Sequence, residues 1–378
     1  MTPKDRVLMA IAHCEPDRVP IDFSAEPDML GKLLQHFDCL PPGYLARSDL
    51  VEHSARIEEA MREAYSSLLQ RLDTDFREVR PRYIGPPPRR FPDGTEESAF
   101  GCRSVAVTTQ FGTYHHAVSF PLSEVTTPKE VMESSCWPDP DSFDYESVVQ
   151  QCAAVKDYAV MSGSFSVWNF SFYSRGMENI LLDLALSPEI ADAIIEAHTR
   201  FCMAYYDRLL DAAKGAIDIV RTYDDYGTQR GLMMRPSKWR ELIKPRLASL
   251  VDLVHSYGAK FMLHSCGSVV EVIPDIIETG VDILDPVQTR AAGMVPETLK
   301  ERFGSQLCFH GGLDTQDVLP HGTREQVEEE VRHLIRVLAP GGGFLFNSSQ
   351  ALLPDTPIEN VETMYQAAHR WGVYPIVA

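Results

Sequence analysis

Two residues that can bind a metal ion, His264 and Cys266, are separated by a single residue. They follow the apolar run 261–263, which favours a buried strand. Because side chains alternate along a strand with a period of two, we expect the imidazole and the thiol to point to the same side. Both are zinc ligands, although a catalytic zinc takes three protein ligands. The pair therefore predicts half of a zinc site, or else a hydrogen-bonded histidine beside an inert buried thiol.

Polar residues also follow four other apolar runs, at the point where each run ends. His310 precedes a Gly-Gly turn and is a candidate third metal ligand, general base or donor to substrate, or a structural histidine bound to a carbonyl. Asp224 and Asp225 are catalytic candidates, but adjacent residues in extended backbone face opposite ways, and the sequence does not choose between them. The same clusters supply candidate substrate-binding residues, of which the tyrosines are equally typical of packing: Tyr223, Tyr226, Gln288, Asn347 and Gln350.

The elements that must position these residues are strands alternating with helices. Eight apolar or β-branched runs are found, at 18–23, 75–79, 158–167, 217–223, 260–264, 281–285, 306–310 and 343–346. This alternation predicts a parallel sheet, and eight units favour a closed (β/α)₈ TIM barrel, which we expect to span 1–378 as one domain. The carboxyl ends of barrel strands converge on one face, which holds the active site in this fold. An open doubly wound sheet is the alternative, but no strand is followed by GxGxxG.

Residues 82–144 depart from this alternation. A proline-rich loop and a Pro-Asp-Gly turn are followed by short strands with little apolar content. We therefore expect an insertion over the barrel, after its second strand, rather than a separate domain.

Several helix boundaries carry their own signals. Ser187-Pro188 predicts a helix start and Gly215 its end, while Thr323 with Gln326 forms a capping box. Thr356 with Glu359 predicts a second capping box, and residues 236–257 predict one helix that ends at a glycine.

Composition excludes some classes of partner. The chain has 35 basic and 54 acidic residues, a net charge of −19, which repels nucleic acid and anionic membrane surfaces. No apolar run approaches the roughly 20 residues needed to cross a bilayer, and the first residues lack a signal-peptide pattern. We therefore expect a cytoplasmic protein with no membrane or nucleic-acid partner, whose eight scattered cysteines are reduced thiols.

The sequence resembles the uroporphyrinogen decarboxylase superfamily, which includes the decarboxylase and the zinc-dependent corrinoid methyltransferases. The matching motifs are Asp-Arg-Val-Pro at 17–20, Asp-Asp-Tyr-Gly-Thr-Gln at 224–229, His-Ser-Cys-Gly at 264–267, His-Gly-Gly-Leu-Asp at 310–314 and Pro-Asp-Thr-Pro-Ile-Glu-Asn at 354–360. The resemblance implies a (β/α)₈ barrel.

The sequence departs from the decarboxylase itself at two places. That enzyme carries an arginine-rich stretch after its first strand to hold a polycarboxylate, whereas residues 21–28 contain no arginine and three acids, Asp22, Glu26 and Asp28. At a cavity rim such acids would repel a polyanion. Gln350 replaces the histidine of the family's final motif. Porphyrinogen decarboxylation is therefore not expected.

The methyltransferase branch fits better. His264 and Cys266 match its metal-binding pair, but Gln350 stands where its distant cysteine aligns, so a third ligand would come from His310 or from Asp224-Asp225, or zinc is not bound. The resemblance implies zinc-assisted methyl transfer between a small substrate and a corrinoid. The sequence contains no corrinoid-binding motif, so cobalamin would be carried by a separate partner protein. The alternatives are a lyase or decarboxylase acting on a small non-porphyrin substrate, and a catalytically inactive barrel that binds a ligand.

Overall fold

The computed structural model describes residues 1–40, 55–109 and 112–376. The strands in these ranges are β1 (Phe76–Glu78), β2 (Arg82–Tyr83), β3 (Arg89–Arg90), β4 (Glu96–Glu97), β5 (Arg103–Thr109), β6 (Gly112–Ser119), β7 (Phe143–Asp144), β8 (Ala159–Ser162), β9 (Ile219–Tyr223), β10 (Lys260–His264), β11 (Ile283–Val287), β12 (Cys308–Leu313) and β13 (Phe344–Ser348). Seven of them form one parallel sheet in the order β1-β8-β9-β10-β11-β12-β13. Their largely apolar sequences follow from burial on both faces.

Helices connect and cover these strands. The α-helices of the described ranges are α1 (Pro3–Ile11), α2 (Pro27–His36), α3 (Ala55–Arg71), α4 (Pro128–Met132), α5 (Ser147–Ala154), α6 (Ser171–Ser174), α7 (Met177–Leu186), α8 (Pro188–Ala213), α9 (Pro236–Leu242), α10 (Lys244–Ser256), α11 (Ile273–Glu278), α12 (Pro296–Phe303), α13 (Val318–His321), α14 (Arg324–Leu338) and α15 (Ile358–Trp371). None of them is both long and apolar enough to cross a membrane.

The parallel sheet curls around a common interior. Every strand of the sheet contributes a buried side chain to one apolar cluster, which we call the floor: Phe76, Ala159, Met161, Ile219, Met262, Ile283, Cys308 and Leu345. Val7, Ala10 and Ile11 of α1 belong to the same cluster. Most of the floor residues stand at or near the start of their strands, so α1 packs against the amino end of the interior.

The first of the eight predicted strands, residues 18–23, forms isolated bridges at Arg18 and Ile21 instead of a strand. Ile21 pairs in parallel with Phe346 of β13, and on its other side its carbonyl accepts a 2.8 Å bond from the Asp75 amide. The Asp75 carboxylate accepts the Ile21 N–H at 2.7 Å, so a side chain takes the place of a backbone ladder. This segment links the two edges of the sheet. The α/β class is confirmed, and these links agree with an eight-membered barrel.

Residues 82–144 contain antiparallel structure outside the parallel sheet. β2 pairs with β7, and β3 to β6 form a four-stranded sheet. Outer positions of β5 and β6 are exposed, in agreement with their low apolar content. That this region is an insertion over a barrel stays a prediction.

The helix boundaries divide into confirmed and wrong predictions. Pro188 opens α8 and Gly215 follows it at φ +81°, and the Thr323–Gln326 capping box is present at α14. The predicted helix 236–257 is two helices, because Pro245 lacks the N–H that would continue the first one. The Thr356 capping box is wrong, because α15 begins one residue later than it requires and has no side-chain cap.

Candidate functional site

A layer of polar side chains lies directly above the apolar floor. In each of five consecutive strands, the residue two positions after a floor residue is polar. It points to the same inward face as the floor residue, because side chains alternate with a period of two. These residues are Arg221, His264, Asp285, His310 and Asn347. The layer therefore stands toward the carboxyl ends of the strands, where barrel active sites are found.

Asp225, His264 and Cys266 form a cluster whose ligand atoms all lie within 4.8 Å of one another. His264 Nε2 is 3.4 Å from Cys266 Sγ and 3.6 Å from Asp225 Oδ1. Ligands about 2.0–2.3 Å from a tetrahedral zinc stand roughly 3.3–3.8 Å apart. The two distances from His264 Nε2 match that spacing.

The chemistry of these donors also fits a divalent cation. Burial, and next the nearby charge of Asp225, raise the pKa of the Cys266 thiol. A bound cation reverses this effect, since it stabilises thiolate and carboxylate together. One sulfur, one imidazole and one carboxylate are typical of zinc rather than of magnesium or calcium.

Gln350 contacts the same cluster at the position where a cysteine was expected from the resemblance. Its Nε2 donates to Cys266 Sγ at 3.2 Å, while its Oε1 accepts the Ala351 N–H at 3.0 Å. The amide oxygen is thus already bonded to the backbone. Gln350 therefore donates a hydrogen bond to the Cys266 sulfur, and Asp225 is the third candidate metal ligand.

Asp285 lies at the centre of the polar layer. Its Oδ2 accepts from His264 Nδ1 at 2.7 Å and from Arg221 Nε at 2.9 Å, and its Oδ1 accepts from His310 Nδ1 at 2.5 Å. Burial alone would raise the pKa of Asp285, but Arg221 and the two histidines hold it well below its usual range. Asp285, on β11, is therefore a carboxylate that joins its own strand to β9, β10 and β12.

His310 is 1% exposed and both of its ring nitrogens face carboxylates. Its Nδ1 contacts Asp285, and its Nε2 lies 3.1 Å from Asp22 Oδ2, which leaves no ring nitrogen for a metal ion. Asp22 was expected at a cavity rim, but it is 4% exposed and belongs to this buried network, because it occupies an inward position between Ile21 and Phe23. Burial opposes the charged imidazole, yet the two carboxylates outweigh it and raise the pKa of His310 to about 9.

This raised pKa predicts a pH-dependent stability. The contribution of His310 is complete below its unfolded-state pKa, about 6.5, and is lost as the pH rises through about 9. We expect a loss on the order of 3 kcal/mol over that interval. Urea unfolding between pH 6 and 10 measures it. His310→Gln should be less stable at pH 6 and should lack this slope, and an equal slope in both proteins would contradict the prediction.

Asp224 and Asp225 face opposite ways, as adjacent residues in extended backbone should. Asp224 is 1% exposed, and its carboxylate accepts N–H groups of Val167, Trp168 and Asn169 at 2.8–3.2 Å. Strand β8 therefore ends before the predicted boundary at 167, because these amides turn toward a side chain. These bonds give Asp224 a supporting role in this loop, and a catalytic role for it stays a prediction. Asp225 belongs to the cluster with His264 and Cys266, and its carboxylate accepts the Cys266 N–H at 2.8 Å.

The two tyrosines also differ. The Tyr223 ring lies beside His264, with 5.2 Å between ring centroids, and the Arg221 guanidinium covers it at 4.7 Å. Tyr226 is fully buried and packs edge-on against Trp239. Tyr223 therefore borders the cluster, whereas Tyr226 belongs to the core and cannot reach a substrate without rearrangement.

Gln288 and Asn347 both hold backbone near the cluster. Gln288 Oε1 accepts the Gly267 N–H at 2.6 Å, which fixes the turn after Cys266. Asn347 is 2% exposed, and its Oδ1 accepts the Ser348 N–H at 2.8 Å. Substrate contact by either residue stays a prediction.

Comparison with known proteins places the chain among enzymes with a common fold. The family model for uroporphyrinogen decarboxylase (URO-D) matches residues 133–371, more than half of the chain. The chain belongs to the uroporphyrinogen decarboxylase family. A methylated-thiol–coenzyme M methyltransferase from Methanosarcina mazei is 28% identical over 193 residues, covering 51% of this chain and 48% of that protein. A uroporphyrinogen decarboxylase from Trichlorobacter lovleyi is 23% identical over 185 residues, covering 49% and 50%.

A solved structure extends the likeness of this URO-D family chain to its full length. The structure of a methyltransferase from Methanosarcina mazei superimposes with a TM-score of 0.67 at 16% identity, covering 98% of this chain and 99% of the other. At that identity the match shows a shared fold. The chain spans about half the length of the curated relatives it matches. Together these likenesses fit the methyltransferase branch of the URO-D family.

Two residues of this URO-D family site were not among the sequence-based candidates. Asp285 and Arg221 are central to the polar layer, and both lie inside predicted strands. Most of the sequence-based candidates instead lie at the ends of predicted strands or in the loops that follow them. The two-residue period of a strand could have identified them, since each stands two residues after an apolar floor residue, as His264 does.

Two glycines hold the loops of this site together. A Cβ on Gly267 would lie 2.6 Å from the backbone of Gly227, and a Cβ on Gly227 would lie 2.6 Å from the Cys266 carbonyl oxygen. The backbones after β9 and β10 therefore touch, which brings Asp225 beside Cys266.

Gly267→Ala is expected to separate these loops and to weaken metal binding. Gly258→Ala is the matched control, because both glycines have φ +79° but a Cβ on Gly258 meets nothing within 4 Å. Both changes carry the same backbone strain, so the added crowding should destabilise Gly267→Ala by about 1–3 kcal/mol more. Urea unfolding and zinc titration compare them, and equal losses of stability would show that the loops are not in contact.

Proposed function

We propose that this chain catalyses methyl transfer between a small substrate and a corrinoid carried by a separate partner protein, with zinc bound by Asp225, His264 and Cys266. The observation that carries the proposal is the cluster of these three residues on the polar layer. The name of the Methanosarcina mazei relative adds support, because that protein is a methyltransferase for methylated thiols. In this proposal the parallel sheet is a (β/α)₈ barrel with residues 82–144 inserted.

The residues of the chain prepare the cluster for this reaction. Zinc, when bound, would favour a thiolate at neutral pH and polarise the heteroatom that carries the methyl group. His264 presents the lone pair of Nε2, because its Nδ1 donates to Asp285. Gln350 donates to the Cys266 sulfur and stabilises its anionic form. Cys266 is only partly buried, so a substrate can approach it from the open side of the layer.

Tyr223 gives this open side a partly apolar border. Its ring stands beside His264, and Arg221 fixes the ring by covering it. A methyl-bearing group beside the Tyr223 ring would be shielded from water on one side. Exclusion of water helps to hold the reacting atoms in a geometry close to that of the transition state.

The experiment combines metal analysis with a transfer assay. Purified protein should contain about one zinc per chain, and under anaerobic conditions it should convert methylcobalamin to cob(I)alamin when a small thiol is added. The Co–C bond breaks with its electron pair on cobalt, and the thiolate sulfur takes the methyl group. Loss of the spectral change after chelation, and its return with zinc, would support the proposal. Zinc-independent release of carbon dioxide from a small carboxylic acid, with no transfer to any thiol, would instead support a lyase.

A further inference from the structure

His264 is held in one tautomer by its neighbours. Asp285 Oδ2 can only accept, so the 2.7 Å contact places the proton of His264 on Nδ1. The lone pair is then on Nε2, which faces Cys266 Sγ at 3.4 Å. Arg221 Nη2 is 3.2 Å from the same Nδ1, but both atoms are donors, and they share Asp285 as their acceptor.

Asp285 is itself fixed on both oxygens. Oδ2 takes two donors, from His264 and Arg221, while Oδ1 takes the His310 ring. Any rotation of the carboxylate breaks at least one of these bonds in a site that is 1% exposed. The far nitrogen of His310 ends on Asp22, which lies 288 positions away in sequence.

The charges of this network balance without a metal ion. Asp22 and Asp285 supply two negative charges, and Arg221 with a protonated His310 supplies two positive ones. Hydrogen bonds among buried polar side chains hold those side chains in one arrangement. The orientation of His264 is therefore set before any ion arrives.

We propose that Asp285 is the positioning residue for His264, and that the chain Asp22–His310–Asp285–His264 aims Nε2 at the metal cluster. The inference rests on the zinc site of the proposed function, and it adds residues that are not ligands. Carboxylates behind metal-binding histidines typically raise metal affinity 10–100-fold. Asp285 would act in the same way, and His310 would act through Asp285.

The first test uses the unaltered, zinc-free protein. Nitrogen-15 NMR of the histidine rings should show that the neutral ring of His264 carries its proton on Nδ1 and none on Nε2. The opposite tautomer would overturn the proposal. This measurement needs no bound metal, so it separates a failure of the positioning role from a failure of the proposed zinc chemistry.

The second test uses Asp285→Asn, with zinc competition titrations and the visible spectrum of the cobalt(II)-substituted protein. We expect zinc affinity to fall about 10–100-fold and the cobalt bands to shift. Asp282→Asn is the control, because Asp282 also accepts from a histidine, His255 at 2.7 Å, away from the cluster. A folded Asp285→Asn protein with unchanged affinity and spectrum would contradict the proposal.

His310→Gln is a second variant, which leaves Asp285 unchanged and can be used if Asp285→Asn does not fold. It replaces the ring donor to Asp285 Oδ1 by a neutral amide that is not held in the same position, so we expect a smaller loss of zinc affinity in the same direction. Unchanged affinity in a folded His310→Gln protein would show that the chain does not extend beyond Asp285.

Discussion

Cys266→Ser is expected to lower zinc affinity by at least about 100-fold, because a hydroxyl that stays protonated replaces a thiolate ligand. The two remaining candidate ligands, Asp225 and His264, would hold the ion only weakly. Methyl transfer from methylcobalamin should fall in parallel. Competition titration with a chromophoric chelator measures the affinity.

Cys14→Ser is the control for this change. Cys14 is exposed, and its sulfur contacts only the carbonyl of Ala12 among the described residues. It should bind zinc as the unaltered protein does. Equal zinc occupancy in Cys266→Ser and in the unaltered protein would remove Cys266 from the site.

The neighbouring acids Asp224 and Asp225 are expected to give opposite results when each is changed to alanine. Asp224→Ala leaves two buried N–H groups and one partly buried N–H group without an acceptor, so the free energy of unfolding should fall by about 4 kcal/mol or more. Asp225→Ala removes a partly exposed candidate ligand and the acceptor of one partly buried N–H, that of Cys266, so stability should fall by only about 1–2 kcal/mol while zinc affinity falls.

Urea unfolding and zinc titration of both variants test this pair together. Asp224→Asn should recover part of the lost stability, because one carbonyl oxygen remains to accept. If Asp225→Ala unfolds and Asp224→Ala does not, the two side chains have the reverse orientations.

The strands of the site were predictable because their pattern is local. Residues 260–264 were predicted as a strand and form β10 with the same bounds, and His264 and Cys266 fall on one side as the two-residue period requires. The choice between Asp224 and Asp225 was not predictable. It depends on amides of residues 167–169, more than fifty positions away.

The buried network was hidden from the sequence for a different reason. Asp22 and His310 are 288 positions apart, and each is an ordinary polar residue beside an apolar run. Their pairing follows from closure of the sheet edges by residues 18–23, which no local period encodes. The three acids and the missing arginines of residues 21–28 led to the wrong prediction for Asp22. Asp22 occupies an inward position and pairs with His310, so its charge does not stand at a cavity rim.

The position of α1 against the floor limits the directions from which a ligand can reach the polar layer. Val7, Ala10 and Ile11 cover the amino end of the interior, so the small substrate and the protein-borne corrinoid of the proposed function would both have to approach from above the polar layer. A bulky partner seated there would trap whatever lies beneath it. In the proposed reaction the small substrate would therefore bind before the partner protein, and its product would leave after the partner has dissociated.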